Sequence, residues 1–330
     1  MKYYNFINEP NGWWSSTGGD SELWLDAVSL FDSALEEEGM TGKIELVGPD
    51  IAIWDKDENW WIEKTDSRMG TKMGLYDIHT YPSKYTVTSG EFQDIVKSYR
   101  DLVPEGRQMV MGEIGLKYVH PADSLLNVIN IEKARNHAHA SQTDSQMSVY
   151  GPEYGIYMAD ALMQTVSAGY SGAVAWMLDD AMHANEAPDK LKIWGMWNIF
   201  GEEFFGEDEE RIRPWYFAWS LLCRYMPSGS RIVGTSHGGD CRINVVEKEG
   251  RKSIFILNPT LQPVEMEIMP TGNFGLENAK MFVYNDRTVA ERVSDNRLMP
   301  EPDPVTIQGS TPLSISVSPQ TLVTITDFDY

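Results

Sequence analysis

YYNFINEPNGWW, residues 3–14, decides how this chain is read. Aromatic and apolar residues run straight into Asn8-Glu9-Pro10, with Trp13 and Trp14 just beyond. The run has the composition of a buried strand. A buried strand that ends on a carboxylate points to chemistry at a sheet end, provided that similar strands lie beside it in parallel.

Four further β-rich runs end in polar residues or glycine: KIELVG (43–48), LYDIH (75–79), QMVMGE (108–113) and GAVAWML (172–178). Helical spacing fills the gaps. SELWLDAVSLFDSALEEEG (21–39) has apolar residues at steps of three and four and stops at a glycine; EFQDIVKSYRDLV (91–103) stops before Pro104. EYGIYMADALMQTVSAG (153–169) and PWYFAWSLLCRYMP (214–227) behave alike, and ENWWIEKTDSRMG (58–70) does so more weakly. Strand–helix alternation predicts βα units and a parallel sheet. A stretch at about 117–152 reads as an irregular excursion over one face. Glu9, His79, Glu113, Trp176 and Asp179 all follow strand ends, where a (β/α)8 barrel keeps its active site. A doubly wound nucleotide fold would want a glycine-rich loop after its first strand; NEPNGWW offers one glycine and a carboxylate that repels phosphate. After Pro227 the pattern becomes short alternating strands with turn residues and no helix. The predicted organisation is α/β: part of a barrel over 1–227, then an all-β sandwich over 228–330.

Composition sets limits. The chain has 330 residues and a net charge of −22. That balance argues against nucleic acid, whose phosphates need Lys and Arg, and against an anionic membrane surface. No apolar run reaches the roughly 18 residues of a membrane span, and no basic start leads into an apolar stretch. The acidic run from Gly201-Glu202-Glu203 to Glu209-Glu210 reads as a solvated loop, since it lacks the alternating spacing of a calcium loop. Two cysteines make no disulfide scaffold, and Cys223 is expected to be a buried small hydrophobe. His137 and His139 stand two apart with no third ligand in sequence, so no metal is expected there.

The motifs resemble the retaining glycoside hydrolases of clan A. NEP is similar to the Asn-Glu that ends that clan's fourth barrel strand, and GEIG to the end of its seventh. DIHTYP resembles its His-x-Tyr after strand six, and Trp176 its tryptophan ending strand eight. The likeness covers about residues 1–226, and the β strands that follow resemble the layout of families 39, 30 and some of family 5. If YYNFIN is strand four, strands one to three are not in this chain, nor are the sugar-binding Arg and His expected there. The expectation is then the C-terminal part of an enzyme. By itself it would be poorly soluble and inactive, because five parallel strands cannot close a barrel that needs eight and leave bare edges.

The resemblance implies a glycosidase that cleaves a plant or microbial polysaccharide, or its oligosaccharides, by double displacement. Glu9 would be the acid/base and Glu113 the nucleophile, with carboxyls about 5–5.5 Å apart. Glu9 should then hold its proton near neutral pH while Glu113 stays ionised. Asn8 would donate to the sugar 2-hydroxyl, Tyr81 would donate to Glu113, and Trp176 would offer a ring face to a sugar. Each has a plainer reading: a loop carboxylate at Glu9, a capping acid at Glu113, a turn asparagine, a rim tyrosine and barrel packing. His79 is either a site residue or a polar core histidine. Trp13, Trp14, Trp54, Trp60 and Trp61 are either subsite platforms or core. Asp179 and Asp180 bind hydroxyls or cap a loop. No metal or organic cofactor is implied; by resemblance the enzyme is secreted or periplasmic. The rivals are a catalytically silent carbohydrate-binding protein and a structural β-sandwich adaptor.

Overall fold

The computed structural model describes residues 2–182, 190–199, 201–236, 241–268, 275–293, 303–307 and 312–329. The chain divides into two compact units. One comprises residues 1–83, 91–117 and 164–176; the other comprises 84–90, 118–163 and 177–330. This division does not follow the change of sequence pattern at 227–228.

The first unit is half of a barrel. Strands β1 (Tyr3–Asn5), β2 (Glu45–Ile53), β3 (Met73–Thr80), β4 (Met109–Ile114) and β5 (Ala173–Ala175) form one sheet in chain order. All four pairings are parallel. Every strand therefore ends on the same side, and His79 lies directly opposite Glu113. Helices α1 (Ser21–Glu37), α2 (Trp60–Met69) and, after the short α3 (Lys84–Thr88), α4 (Glu91–Arg100) are the crossovers. Asp20 caps α1 by accepting from the Glu22 and Leu23 amides, and Gly39, at φ +63°, ends it as the sequence predicts. Trp24 of α1 meets Trp61 of α2 edge to face at 5.9 Å, and both are buried. Phe6 and Tyr4 pack on Phe31, tying β1 to α1.

Three expectations change here. The first strand ends at Asn5 rather than residue 8, and the chain bends before Glu9, whose φ is +48°. The strand read as 43–48 continues to Ile53. Its Gly48-Pro49 looks like a stop, yet Ile51, Ala52 and Ile53 are all buried and paired with β3. The excursion at 117–152 holds a regular helix, α5 (Ser124–Asn136). Its apolar residues are scattered around the helix, so no face stands out in the sequence.

The second unit holds α3, α5 and α6 (Pro152–Ser167) as far as Met163, the short ladder of β6 (Ala181–Met182) and β7 (Leu191–Lys192), α7 (Glu207–Glu210) and α8 (Trp215–Tyr225). The β strands follow: β8 (Arg231–Ser236), β9 (Arg242–Lys248), β10 (Arg251–Asn258), β11 (Val264–Ile268), β12 (Leu276–Tyr284), β13 (Asp303–Ile307), β14 (Leu313–Val317) and β15 (Thr321–Thr326). Six of them form a sheet in the order β13-β12-β15-β10-β9-β8, and β11 pairs with β14. Ile254, Ile256, Val323 and Ile325 are core residues of the large sheet, with Met266, Ile268, Leu313 and Ile315 packed against their cluster. This is the expected sandwich. It also contains helix α9 (Asp286–Val293), which the sequence reading did not include. The expected strand residues His237, Met269 and Pro270 lie outside the described residues. Cys223 corrects another expectation: it is exposed on α8, while Cys241 is buried. Helix α8 is apolar nearly all round, so spacing does not mark its outer face.

Candidate active site

At the C-terminal end of the parallel sheet, oxygens of Glu9 and Glu113 and a ring nitrogen of His79 lie within 4.8 Å of one another. Glu113 arrives at the end of β4, and His79 is its neighbour on β3. Glu9 is brought in by the loop after β1, where its amide donates to the Asp50 carbonyl of β2 at 3.1 Å. The loop is pinned again by Asn11, which donates to the Ala52 carbonyl and accepts from the Ala52 amide.

His79 is almost completely buried and organises the cluster. Its Nδ1 is 3.2 Å from Glu9 Oε1 and 3.7 Å from Glu113 Oε2; its Nε2 is 3.0 Å from Asp50 Oδ1. A ring with a carboxylate at each nitrogen favours the imidazolium. Burial alone would lower its pKa, but the bonds to Asp50 and Glu9, and the charges of Asp50 and Glu113, push it up to about 10. Asp50, Asp77 and His79 form a second close set behind the first. Metal ligation would need an unprotonated ring nitrogen, which this arrangement opposes.

The protonation order reverses the expectation for the two glutamates. Burial would raise the Glu9 pKa, but hydrogen bonds from His79 and from the Trp14 indole, with the charges of His79 and Lys117, hold it below the usual carboxylate range. Glu113 is shifted upward, mainly by burial and further by the charges of Glu9 and Asp50. The charge of His79 and the hydrogen bond from Tyr81 only partly oppose this. The resting cleft thus ionises Glu9 more readily than Glu113. The donors on Glu9, invisible as contacts in the sequence, are the reason.

Tyr81 donates to Glu113 Oε2 at 2.6 Å, and Lys117 sits over the Tyr81 ring at 4.7 Å. Trp14 donates to Glu9 Oε2 at 2.7 Å. Trp13, Trp14 and Trp54 form an edge-to-face series beside Glu9, and all three are exposed. Trp61 is instead core, with Trp60 tilted against it. Asn8 is exposed on the bend before Glu9. Trp176 is half-buried, and its amide donates to the Ile114 carbonyl.

Asp179 and Asp180 belong to the second unit. There Asp179 accepts from the Ile199 amide, and Asp180 accepts from the Trp194 and Gly195 amides and from Arg213. These are loop-capping contacts. Glu209, read as part of a solvated loop, is largely buried against Arg213, Tyr150 and His137. Burial works against its charge, but those partners hold its pKa down to about 2.

Gly12 makes the Trp14 contact possible. A Cβ there would stand 2.3 Å from the indole. We expect Gly12→Ala to push Trp14 off Glu9 and raise the Glu9 pKa. Titrating the Glu9 carboxyl by NMR checks this, and an unchanged midpoint contradicts it.

The His79 network also predicts how stability varies with pH. His79 has a folded pKa near 10, above its ordinary value of 6.5. Its contribution is complete below about pH 6.5 and is lost as pH rises through about 10. Burial and the Asp50 charge hold Asp77 well above the usual range, which acts in the same direction. Glu9, shifted down, loses its contribution only toward acid. The melting temperature should therefore fall from about pH 6.5 to 10, and less steeply in His79→Gln. Equal slopes in the two proteins would contradict the network.

No protein-family model matches the sequence, and no curated protein does. Solved structures match in fold. A GH30 endoxylanase from Clostridium papyrosolvens C71 gives a TM-score of 0.59 at 11% identity, over 99% of this chain and 65% of that one. The GH51 arabinofuranosidase from Xanthomonas axonopodis pv. citri gives 0.64 at 14% identity, over 99% and 66%. A conserved exported protein from Bacteroides fragilis gives 0.59 at 11% identity, over 99% and 65%. The chain thus spans slightly less than two thirds of the length of these structures. It shares the fold of these structures, as a half barrel with a β-sandwich. Among the described residues no helix is long and apolar enough to cross a membrane.

Proposed function

We propose that this chain carries the catalytic carboxylates of a retaining glycoside hydrolase acting on a plant or microbial polysaccharide or its oligosaccharides. The observation that carries the reading is the approach of Glu9 and Glu113 to within 4.8 Å, oxygen to oxygen, at the C-terminal ends of parallel strands. That spacing suits direct attack on the sugar rather than attack through an interposed water. The Trp13, Trp14 and Trp54 faces beside Glu9 fit the apolar faces of sugar rings.

Glu113 is the nucleophile in this reading. Tyr81 and His79 stabilise its charge once the carboxylate forms. Glu9 protonates the leaving oxygen and then activates water. Asn8 contacts the sugar 2-hydroxyl, and Trp176 offers its ring face to the sugar. In the resting cleft Glu113 is the more readily protonated of the two, so the proton has to move from Glu113 to Glu9 through solvent before attack. Export is part of the proposal, since one structural neighbour is an exported protein.

A panel of 4-nitrophenyl glycosides presented to the full-length gene product tests the activity. Turnover with retained anomeric configuration is expected. Sugar binding without turnover would favour the silent carbohydrate-binding protein instead.

A further inference from the structure

We propose that Asp50, backed by Asp77, is a positioning residue that locks the His79 ring with Nδ1–H aimed at Glu9, so that the ring fixes the Glu9 carboxyl for proton delivery to the leaving oxygen. The inference rests on the glycosidase reading above.

Asp50 joins three parts of the site. Its Oδ2 accepts from the Asn5 side chain at 2.6 Å and lies 3.4 Å from the Glu9 amide; its carbonyl accepts from that amide at 3.1 Å. Its Oδ1 faces His79 Nε2 at 3.0 Å. It does so from a left-handed backbone, φ +60°, which only a few non-glycine residues tolerate. A carboxylate that holds the loop, the first strand and the histidine together is more than a strand residue.

Asp77 supports it from behind. It is buried on β3, and its Oδ1 accepts from the Gly112 amide at 2.7 Å. A Cβ at Gly112 would stand 2.3 Å from Asp77 Oδ2, so glycine is needed for this approach. Burial and the neighbouring Asp50 charge favour neutral Asp77, while His79 and the Gly112 amide oppose. Two adjacent buried carboxyls do not readily both ionise. Asp77 thus backs the Asp50 carboxyl, whose Oδ1 faces His79.

The ring therefore has a fixed sense. Glu9, Asp50 and Glu113 face it, the Trp14 indole donates to the other oxygen of Glu9, and the Lys117 charge acts on Glu9 as well. Through the cycle Nδ1–H stays on the ring and points at Glu9 Oε1, while Nε2–H stays toward Asp50. Glu9 takes a proton from solvent before reaction, gives it to the leaving oxygen and regains one from the attacking water, so no proton is gained or lost over the cycle. Without Asp50 nothing fixes Nε2–H, and the ring no longer holds Glu9 in one orientation.

The test is a ¹⁵N-histidine NMR titration of the full-length gene product, with the His79 signals identified by their loss in His79→Gln. In the wild type both His79 nitrogens should be protonated at pH 8. In Asp50→Asn, which suits the left-handed backbone, the midpoint should drop by about one pH unit or more. An unchanged midpoint in that variant overturns the proposal. A neutral His79 at pH 8 in the wild type overturns it too, and needs no variant to fold. The same samples are assayed on 4-nitrophenyl and alkyl glycosides. Asp50→Asn should lose more rate on the alkyl glycosides, which need a proton, than on the activated ones. Wild-type turnover with unshifted histidine overturns this inference alone. A shifted histidine with no wild-type turnover overturns the glycosidase reading and spares the His79 assignment.

Discussion

Glu113→Gln should reduce turnover by several orders of magnitude on every glycoside tested, whereas Glu9→Ala should spare activated substrates. Without the Glu113 carboxylate no covalent intermediate forms, and leaving-group quality cannot compensate. Without Glu9 the leaving oxygen departs unprotonated, which a nitrophenolate tolerates and an alkoxide does not. Azide added to Glu9→Ala should restore rate by attacking the intermediate, giving a glycosyl azide of retained configuration. Steady-state rates on 4-nitrophenyl and alkyl glycosides, with product analysis by NMR, measure all of this. The reverse pattern, with azide rescuing Glu113→Ala, would transfer the acid role to Glu113 in agreement with the resting protonation order.

The second large effect belongs to stability. Arg213 is buried in the second unit, with Nη2 2.5 Å from Asp180 Oδ2 and Nη1 2.8 Å from Asp180 Oδ1. Glu209 and the Tyr150 hydroxyl lie at 3.3 Å, and the Asp180 side chain is fully buried. Arg213→Met leaves that carboxylate without its cation, at a cost of about 3–5 kcal/mol. Such a loss is a large part of the roughly 5–15 kcal/mol that holds a domain folded. Arg213→Lys should recover little, because one ammonium cannot reproduce the guanidinium fork. Adding Asp180→Asn to Arg213→Met should return much of the loss by removing the stranded charge. Urea unfolding followed by circular dichroism reads the difference. A change below about 1 kcal/mol in Arg213→Met would show that the Trp194 and Gly195 amides alone satisfy Asp180.

Much of this was legible because strong local signals agree with the fold. The α1 period, its Asp20 cap and its Gly39 stop all appear in the sequence, and the helix follows them. Five apolar runs with crossover helices leave few topologies open, and a parallel sheet in chain order is the simplest. Glu9, His79 and Glu113 were visible because each stands beside an apolar run with distinctive neighbours.

What escaped the sequence depends on contacts between distant segments. Asp50 follows Gly48-Pro49, a pair that reads as punctuation and ends the strand pattern before this buried acid. Asp77 sits inside a strand pattern and shows only as an acid where apolar residues dominate, a weak signal that was available. Glu209 stands among five other acids between 202 and 210 and looks solvated until Arg213, Tyr150 and His137 surround it. The order of the two glutamate pKa values was misjudged for the same reason: Trp14 is five residues from Glu9, but the donor on the other oxygen, His79, is seventy away. Trp13, Trp14 and Trp54 could not be told from Trp61 by sequence, since all follow strands; only helix α2 turns Trp61 inward.

The most direct test of the central claim is to trap the covalent intermediate. A panel of 2-deoxy-2-fluoro glycosides with activated leaving groups should inactivate the full-length protein, with mass spectrometry placing one fluorosugar on the peptide that carries Glu113. A label on Glu9, or hydrolysis with inversion and no label, would contradict the account.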